Sequence, residues 1–120
     1  MRVIIADDEQ KVCQLIYDLV PWENYGMTVV GMAYNGLDTL DLIKKQAPDL
    51  VITDIKMPGC DGLELIHRAK KQQEKIDFII ISGYRFFEYA QNAIKYGVSD
   101  YLLKPIKQEE LMNTLKKMQE

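Results

Sequence analysis

"VIIADDEQKVCQLIYDL", Val3 to Leu19, contains a change of period that decides the fold. Its first four residues form a continuous apolar run, the pattern of a strand buried on both faces of a parallel sheet. Three acids follow, Asp7, Asp8 and Glu9. Val12, Leu15, Ile16 and Leu19 then recur at spacings of three and four, which is a helix face, and Pro21 closes it. A strand that passes through an acidic turn into a helix is one βα unit.

The same unit recurs along the chain. Apolar, β-rich runs lie at Met27–Met32, Leu50–Thr53, Phe78–Ile81 and Tyr101–Leu103. Helical patterns follow them: Leu37, Leu40 and Ile43 after Asn35-Gly36, then Leu63, Leu65, Ile66 and Ala69 after Asp61-Gly62. Phe86, Ala90, Ala93 and Ile94 make a fourth, with Gly97 as its C-cap, and Leu111, Leu115 and Met118 a fifth after Pro105. Five βα units predict an α/β, three-layer sandwich around a five-stranded parallel sheet. Right-handed crossovers favour the flavodoxin-like strand order 2-1-3-4-5.

The 120 residues suit one domain, 1–120, with no linker or repeat. The last helix runs to Glu120 without a cap, so a longer natural chain is expected. A net charge of −3 and a pI of about 5.2 do not invite DNA or anionic lipid. No apolar run reaches the ~18 residues of a membrane span, and no signal peptide precedes the first strand. A cytoplasmic protein is expected. Cys13 and Cys60 are far apart and lack metal-ligand spacing, so they read as reduced thiols.

In such sheets the functional crevice lies at the carboxyl ends of the strands. The first strand ends at Asp7-Asp8, the third at Asp54, the fourth at Ser82-Gly83 and the fifth at Lys104-Pro105. Crowded carboxylates repel one another unless a cation sits between them. Hard oxygen ligands suit Mg²⁺ or Mn²⁺, which commonly takes one or two carboxylates plus a phosphoryl oxygen. Asp54 beside such a cation is a carboxylate nucleophile able to form an acyl phosphate. Lys104 and the Ser82 hydroxyl can each contact a phosphoryl oxygen, and phosphoryl transfer needs little more than positioning and charge.

The set "ADDE", "ITDIKMPGCDG", "ISGY" and "SDYLLKPI" resembles the response-regulator receiver domains of bacterial two-component signalling, over essentially the whole chain. The resemblance implies roles by position. Asp54 is the phospho-acceptor, Asp8 the direct metal ligand, and Asp7 a ligand acting mainly through water. Lys56 offers its backbone carbonyl to the metal. Ser82 is the switch hydroxyl, Tyr101 the switch aromatic and Lys104 the phosphate-contacting lysine. The Lys104-Pro105 bond is expected to be cis. The segments "PWENYGM", "GLELI" and "ISGYRFFEYAQNAIKYGVSDYLLKPI" look like receivers joined to AraC-type helix-turn-helix output domains. The function implied is a phosphorylatable switch. It would take its phosphoryl group from a sensor histidine kinase, with no enzymatic turnover beyond its own phosphorylation and dephosphorylation. The partner face would be built by the fourth helix, fifth strand and fifth helix. It would pair two copies on activation, with DNA reached only through an output domain outside these residues.

Plainer readings compete residue by residue. Asp8 can be a helix N-cap with Glu9 in the first turn. Asp61-Gly62 reads as turn and cap, His67 as a solvated helix position, and Met57, Met112 and Met118 as core filling. Tyr101 can be static core. Among whole functions, a flavin module needs a phosphate-cradling loop where Asp7, Asp8 and Glu9 stand. A haloacid-dehalogenase-like phosphatase needs a second acid where Lys56 stands. A stand-alone or pseudo-receiver interaction module is the alternative left by the fold.

Overall fold

The strands are apolar where two layers of helix must cover them. The computed structural model describes residues 1–73, 75–83 and 97–119. Within them β1 is Arg2–Ala6, β2 Thr28–Ala33, β3 Leu50–Thr53, β4 Asp77–Ser82 and β5 Asp100–Leu103. All pairings are parallel and the order is β2-β1-β3-β4-β5, the expected flavodoxin-like arrangement. Successive strand residues point to opposite faces, so one strand feeds two cores. Ile4, Ala6, Val51, Phe78 and Ile80 join Ile43, Leu65, Ile66 and Ala69 on one side. Val3, Ile5, Leu50, Ile52, Ile79 and Ile81 join Cys13, Ile16, Trp22, Leu111 and Leu115 on the other.

The helices are α1 Gln10–Leu19, α2 Gly36–Gln46, α3 Gly62–Gln72 and a C-terminal helix Gln108–Gln119. The fourth helical pattern, with Phe86, Ala90, Ala93 and Ile94, lies outside the described residues. Gly97, expected to cap it, has φ +84. Val20 is extended (φ −118, ψ 130) and ends α1 ahead of Pro21, whose ring disfavours a helical residue before it. Asn35 and Asp61 cap α2 and α3, accepting from the Asp38 and Glu64 N–H groups at 2.8 and 2.9 Å.

Three details differ from the expectations. The N-cap of α1 is Glu9, with no side-chain hydrogen bond, so Asp8 does not cap it. Leu15 and Leu37 are exposed (46% and 55%), and the buried faces instead run through Cys13 and Ile16 in α1 and Gly36, Thr39 and Ile43 in α2. A short 3-10 turn, Trp22–Tyr25, follows α1 where no element was anticipated. Among the described residues no helix is long and apolar enough to cross a membrane. Cys13 and Cys60 are buried free thiols, and burial, aided by the Asp7 charge, pushes Cys13 up to about 12.

Candidate functional site

Parallel register carries the strand ends to one edge. Ala6 pairs with Thr53, so the residues after each, Asp7 and Asp54, emerge side by side. The Asp54 N–H donates to the Ala6 carbonyl at 3.1 Å, and the Asp7 N–H to the Ala33 carbonyl at 3.1 Å. Asp7 and Asp54 are buried, whereas Asp8 is exposed. Carboxylate oxygens from all three lie within 4.8 Å of one another.

Lys104 closes this cluster from the far end of β5. Its backbone N–H donates to the Ser82 carbonyl at 2.8 Å, and the bond to Pro105 is cis. Its ammonium Nζ lies 3.0 Å from Asp7 Oδ2 and 2.9 Å from Asp54 Oδ2. The second oxygens are held by backbone: Asp7 Oδ1 accepts from the Glu9 N–H at 2.9 Å, and Asp54 Oδ1 from the Ile55 N–H at 2.7 Å. Burial pushes the Asp7 carboxyl up to about 6, against the Glu9 N–H and Lys104, which pull it down. Burial alone would lower Lys104. Its contacts with Asp54 and Asp7 outweigh that and hold the ammonium above its ordinary range.

Ser82, Tyr101 and Lys56 stand around this cluster. Ser82 is fully buried, and its hydroxyl is turned to the Gly83 carbonyl at a long 3.4 Å. Tyr101 is partly buried against the core on the α2–α3 side, and its hydroxyl is buried with no partner among the described residues. Lys56 is exposed, two residues beyond Asp54. Sequence reasoning passed over Thr53, whose buried hydroxyl donates to the Asp54 carbonyl at 3.0 Å. It read Gly62 only as part of a turn, yet a Cβ there would lie 2.7 Å from that same carbonyl. A polar residue closing an apolar strand is the one signal Thr53 leaves in the sequence.

Three carboxylates against one ammonium leave an excess of two negative charges when all are ionised. The donors are hard oxygens with an open side at Asp8, a set that fits a small divalent cation keeping some of its water.

Residues 3–116 match the family model described as the response regulator receiver domain. The chain belongs to that family. Receiver domains are signalling modules that partner with histidine kinases. This one is 39% identical over 117 residues to the transcriptional regulatory protein YesN of Bacillus subtilis, covering 98% of this chain and 32% of YesN. It is 36% identical to the transcriptional regulatory protein HptR of Staphylococcus aureus, covering 92% of this chain and 43% of HptR. The receiver therefore spans well under half the length of these relatives. Among solved structures it superposes on the receiver domain of AraT, a response regulator from Geobacillus stearothermophilus. The TM-score there is 0.95 at 36% identity, over 98% of this chain and 92% of that one. A chain of the CheX-CheY-BeF₃-Mg complex from Borrelia burgdorferi shares the fold, with a TM-score of 0.88 at 18% identity over 98% and 88% of the two chains.

Proposed function

We propose that this receiver accepts a phosphoryl group on Asp54 from the phosphohistidine of a sensor kinase, and that the modification controls pairing of two copies. The observation that carries this reading is the junction of Asp7, Asp8, Asp54 and Lys104 in one cluster. One Asp54 oxygen forms the bond to phosphorus as the bond from phosphorus to the donor histidine nitrogen breaks. The Ile55 N–H fixes the rotation of the carboxylate for that attack. Lys104, already on Asp54 Oδ2, presents its positive charge to the incoming phosphoryl oxygens. Ser82 surrenders little by leaving a 3.4 Å bond to reach another of those oxygens. Asp8 as the direct ligand, Asp7 through water, Asp54 and the Lys56 carbonyl would hold Mg²⁺ or Mn²⁺. When bound, that ion supplies charge neutralisation at the phosphoryl group.

The domain is read as a cytoplasmic fragment, 1–120, of a longer regulator whose C-terminal AraC-type output domain binds DNA. The length of the YesN and HptR relatives supports the longer chain, and their names as transcriptional regulatory proteins support an output that controls transcription. Reaction is confined to the receiver's own phosphorylation and dephosphorylation. Acetyl phosphate with Mg²⁺ should add one phosphoryl group per chain, detected by intact mass, and beryllofluoride with Mg²⁺ should bind in its place. Asp54→Ala should abolish both. Equal labelling of the variant would overturn the assignment.

A further inference from the structure

Gly36 begins α2 hard against the loop that follows Asp54. Its N–H donates to the Pro58 carbonyl at 3.0 Å. A Cβ at this position would collide with the Cys60 carbonyl oxygen and Cβ, and a backbone carbonyl cannot swing aside as a long side chain does. The turn that makes this contact is itself fixed. Asn35 Oδ1 accepts from the Asp38 N–H at 2.8 Å, Asn35 Nδ2 donates to Asp38 Oδ2 at 2.9 Å, and the buried Thr39 hydroxyl donates to the Asn35 carbonyl at 2.7 Å.

The loop is built to receive it. Gly59 has φ +85, in the region that favours glycine, and the Leu37 side chain lies over the space a Cβ would take. At the loop's far end Gly62 donates to the Ile55 carbonyl, and a Cβ on it would lie 2.8 Å from the Ile55 Cα. The backbone from Ile55 to Asp61 is therefore pinned at Gly62 and braced from the side at Gly36. Lys56 lies between Ile55, whose carbonyl Gly62 holds, and Pro58, whose carbonyl Gly36 holds.

We infer that Gly36, with the capped first turn of α2, is a positioning residue for the divalent cation. It holds the loop after Asp54 so that the Lys56 carbonyl stays in place as a ligand. This rests on the cation reading proposed above. Groups that orient metal ligands without touching the metal typically change affinity by about 10- to 100-fold when altered.

The test is isothermal titration of the metal-free chain with Mn²⁺, alongside thermal denaturation of each variant. Gly36→Ala should raise the dissociation constant about 10-fold. Asn35→Ala loosens the same turn without a clash, and should shift it in the same direction by less. It carries the test if Gly36→Ala does not fold. Gly31→Ala is the control. Its Cβ would press on the Leu42 side chain of α2, away from the loop, and should cost stability while leaving the dissociation constant at the parent value. Parent-like affinity in both Gly36→Ala and Asn35→Ala overturns the inference. So does equal weakening by Gly31→Ala. A parent chain that takes up no Mn²⁺ overturns the cation reading beneath it, which separates the two failures.

Discussion

An ionised carboxylate inside a protein costs free energy unless cations and N–H groups face it. Asp7 is only 1% exposed, and Lys104 must divide its charge between Asp7 and Asp54. With its folded pKa raised from 3.8 to about 6, Asp7 favours folding most below its unfolded pKa. That contribution is lost as pH rises from about 4 to about 6, and above this range the buried charge weighs against the folded state. Asp7→Asn keeps an oxygen for the Glu9 N–H and leaves Lys104 paired with Asp54. In metal-free protein it should raise stability by about 1 kcal/mol at pH 7, with the gain vanishing near pH 4. Urea unfolding at the two pH values measures this, and a loss of stability at pH 7 would contradict it. The acids and Lys104 were legible in the sequence because each is a charge at the end of an apolar strand. The sharing of one ammonium by two carboxylates was not. Nor was the burial of the Tyr101 hydroxyl, because both depend on side-chain placement across strands distant in sequence.

Strand cores are easier to read than strand ends. Leu50–Thr53 is β3 as expected, because every residue in it is apolar or closes the run. β4 and β5 begin one residue early, at Asp77 and Asp100, since ladder hydrogen bonds continue past the point where hydrophobicity stops. The Trp22–Tyr25 turn escaped notice because its reason for being there is tertiary. Trp22 is buried in the core on the α1 side, and its Nε1–H donates to the Tyr17 carbonyl at 3.0 Å, satisfying one of the last carbonyls of α1. Gln108 at the start of the C-terminal helix donates to the Leu19 carbonyl at 2.7 Å and satisfies another. The end of α1 is thus capped by two side chains from outside it, in place of a glycine. Trp22→Phe keeps most of the packing and removes one hydrogen bond, so it should cost about 1 kcal/mol. Trp22→Ala should cost about 3–5 kcal/mol. Chemical denaturation of both variants would show whether the two terms separate. Equal losses would mean that the hydrogen bond to Tyr17 alone holds the turn, and no loss in Trp22→Phe that packing alone does.

The whole fold puts its charge cluster and an edge of its sheet on neighbouring elements, the placement that the proposed switch needs to report a modification at a distance. β5 is an edge strand, and Leu103 at its end is 44% exposed beside Lys104. Tyr101, two residues earlier than Leu103, has a buried hydroxyl that gains nothing from its present surroundings among the described residues. Such a group is cheap to move, because an unsatisfied buried hydroxyl already carries a desolvation penalty. In the proposed mechanism, phosphorylation that draws Ser82 and Lys104 toward new oxygens would displace the ends of β4 and β5, which the Lys104 N–H to Ser82 carbonyl bond ties together. The proposed pairing face also includes Tyr89, Lys95 and Tyr96, which lie outside the described residues. If an ordinary 1–3 kcal/mol couples the two events, beryllofluoride should tighten the homodimer by about 10- to 100-fold. Sedimentation of the chain with and without the activator reads this directly. Tyr101→Ala should still bind beryllofluoride at Asp54 while losing most of the shift in dimer affinity. Full dimerisation of that variant on activation would make Tyr101 a core residue and place the coupling elsewhere, with the Ser82–Lys104 tie the next element to cut.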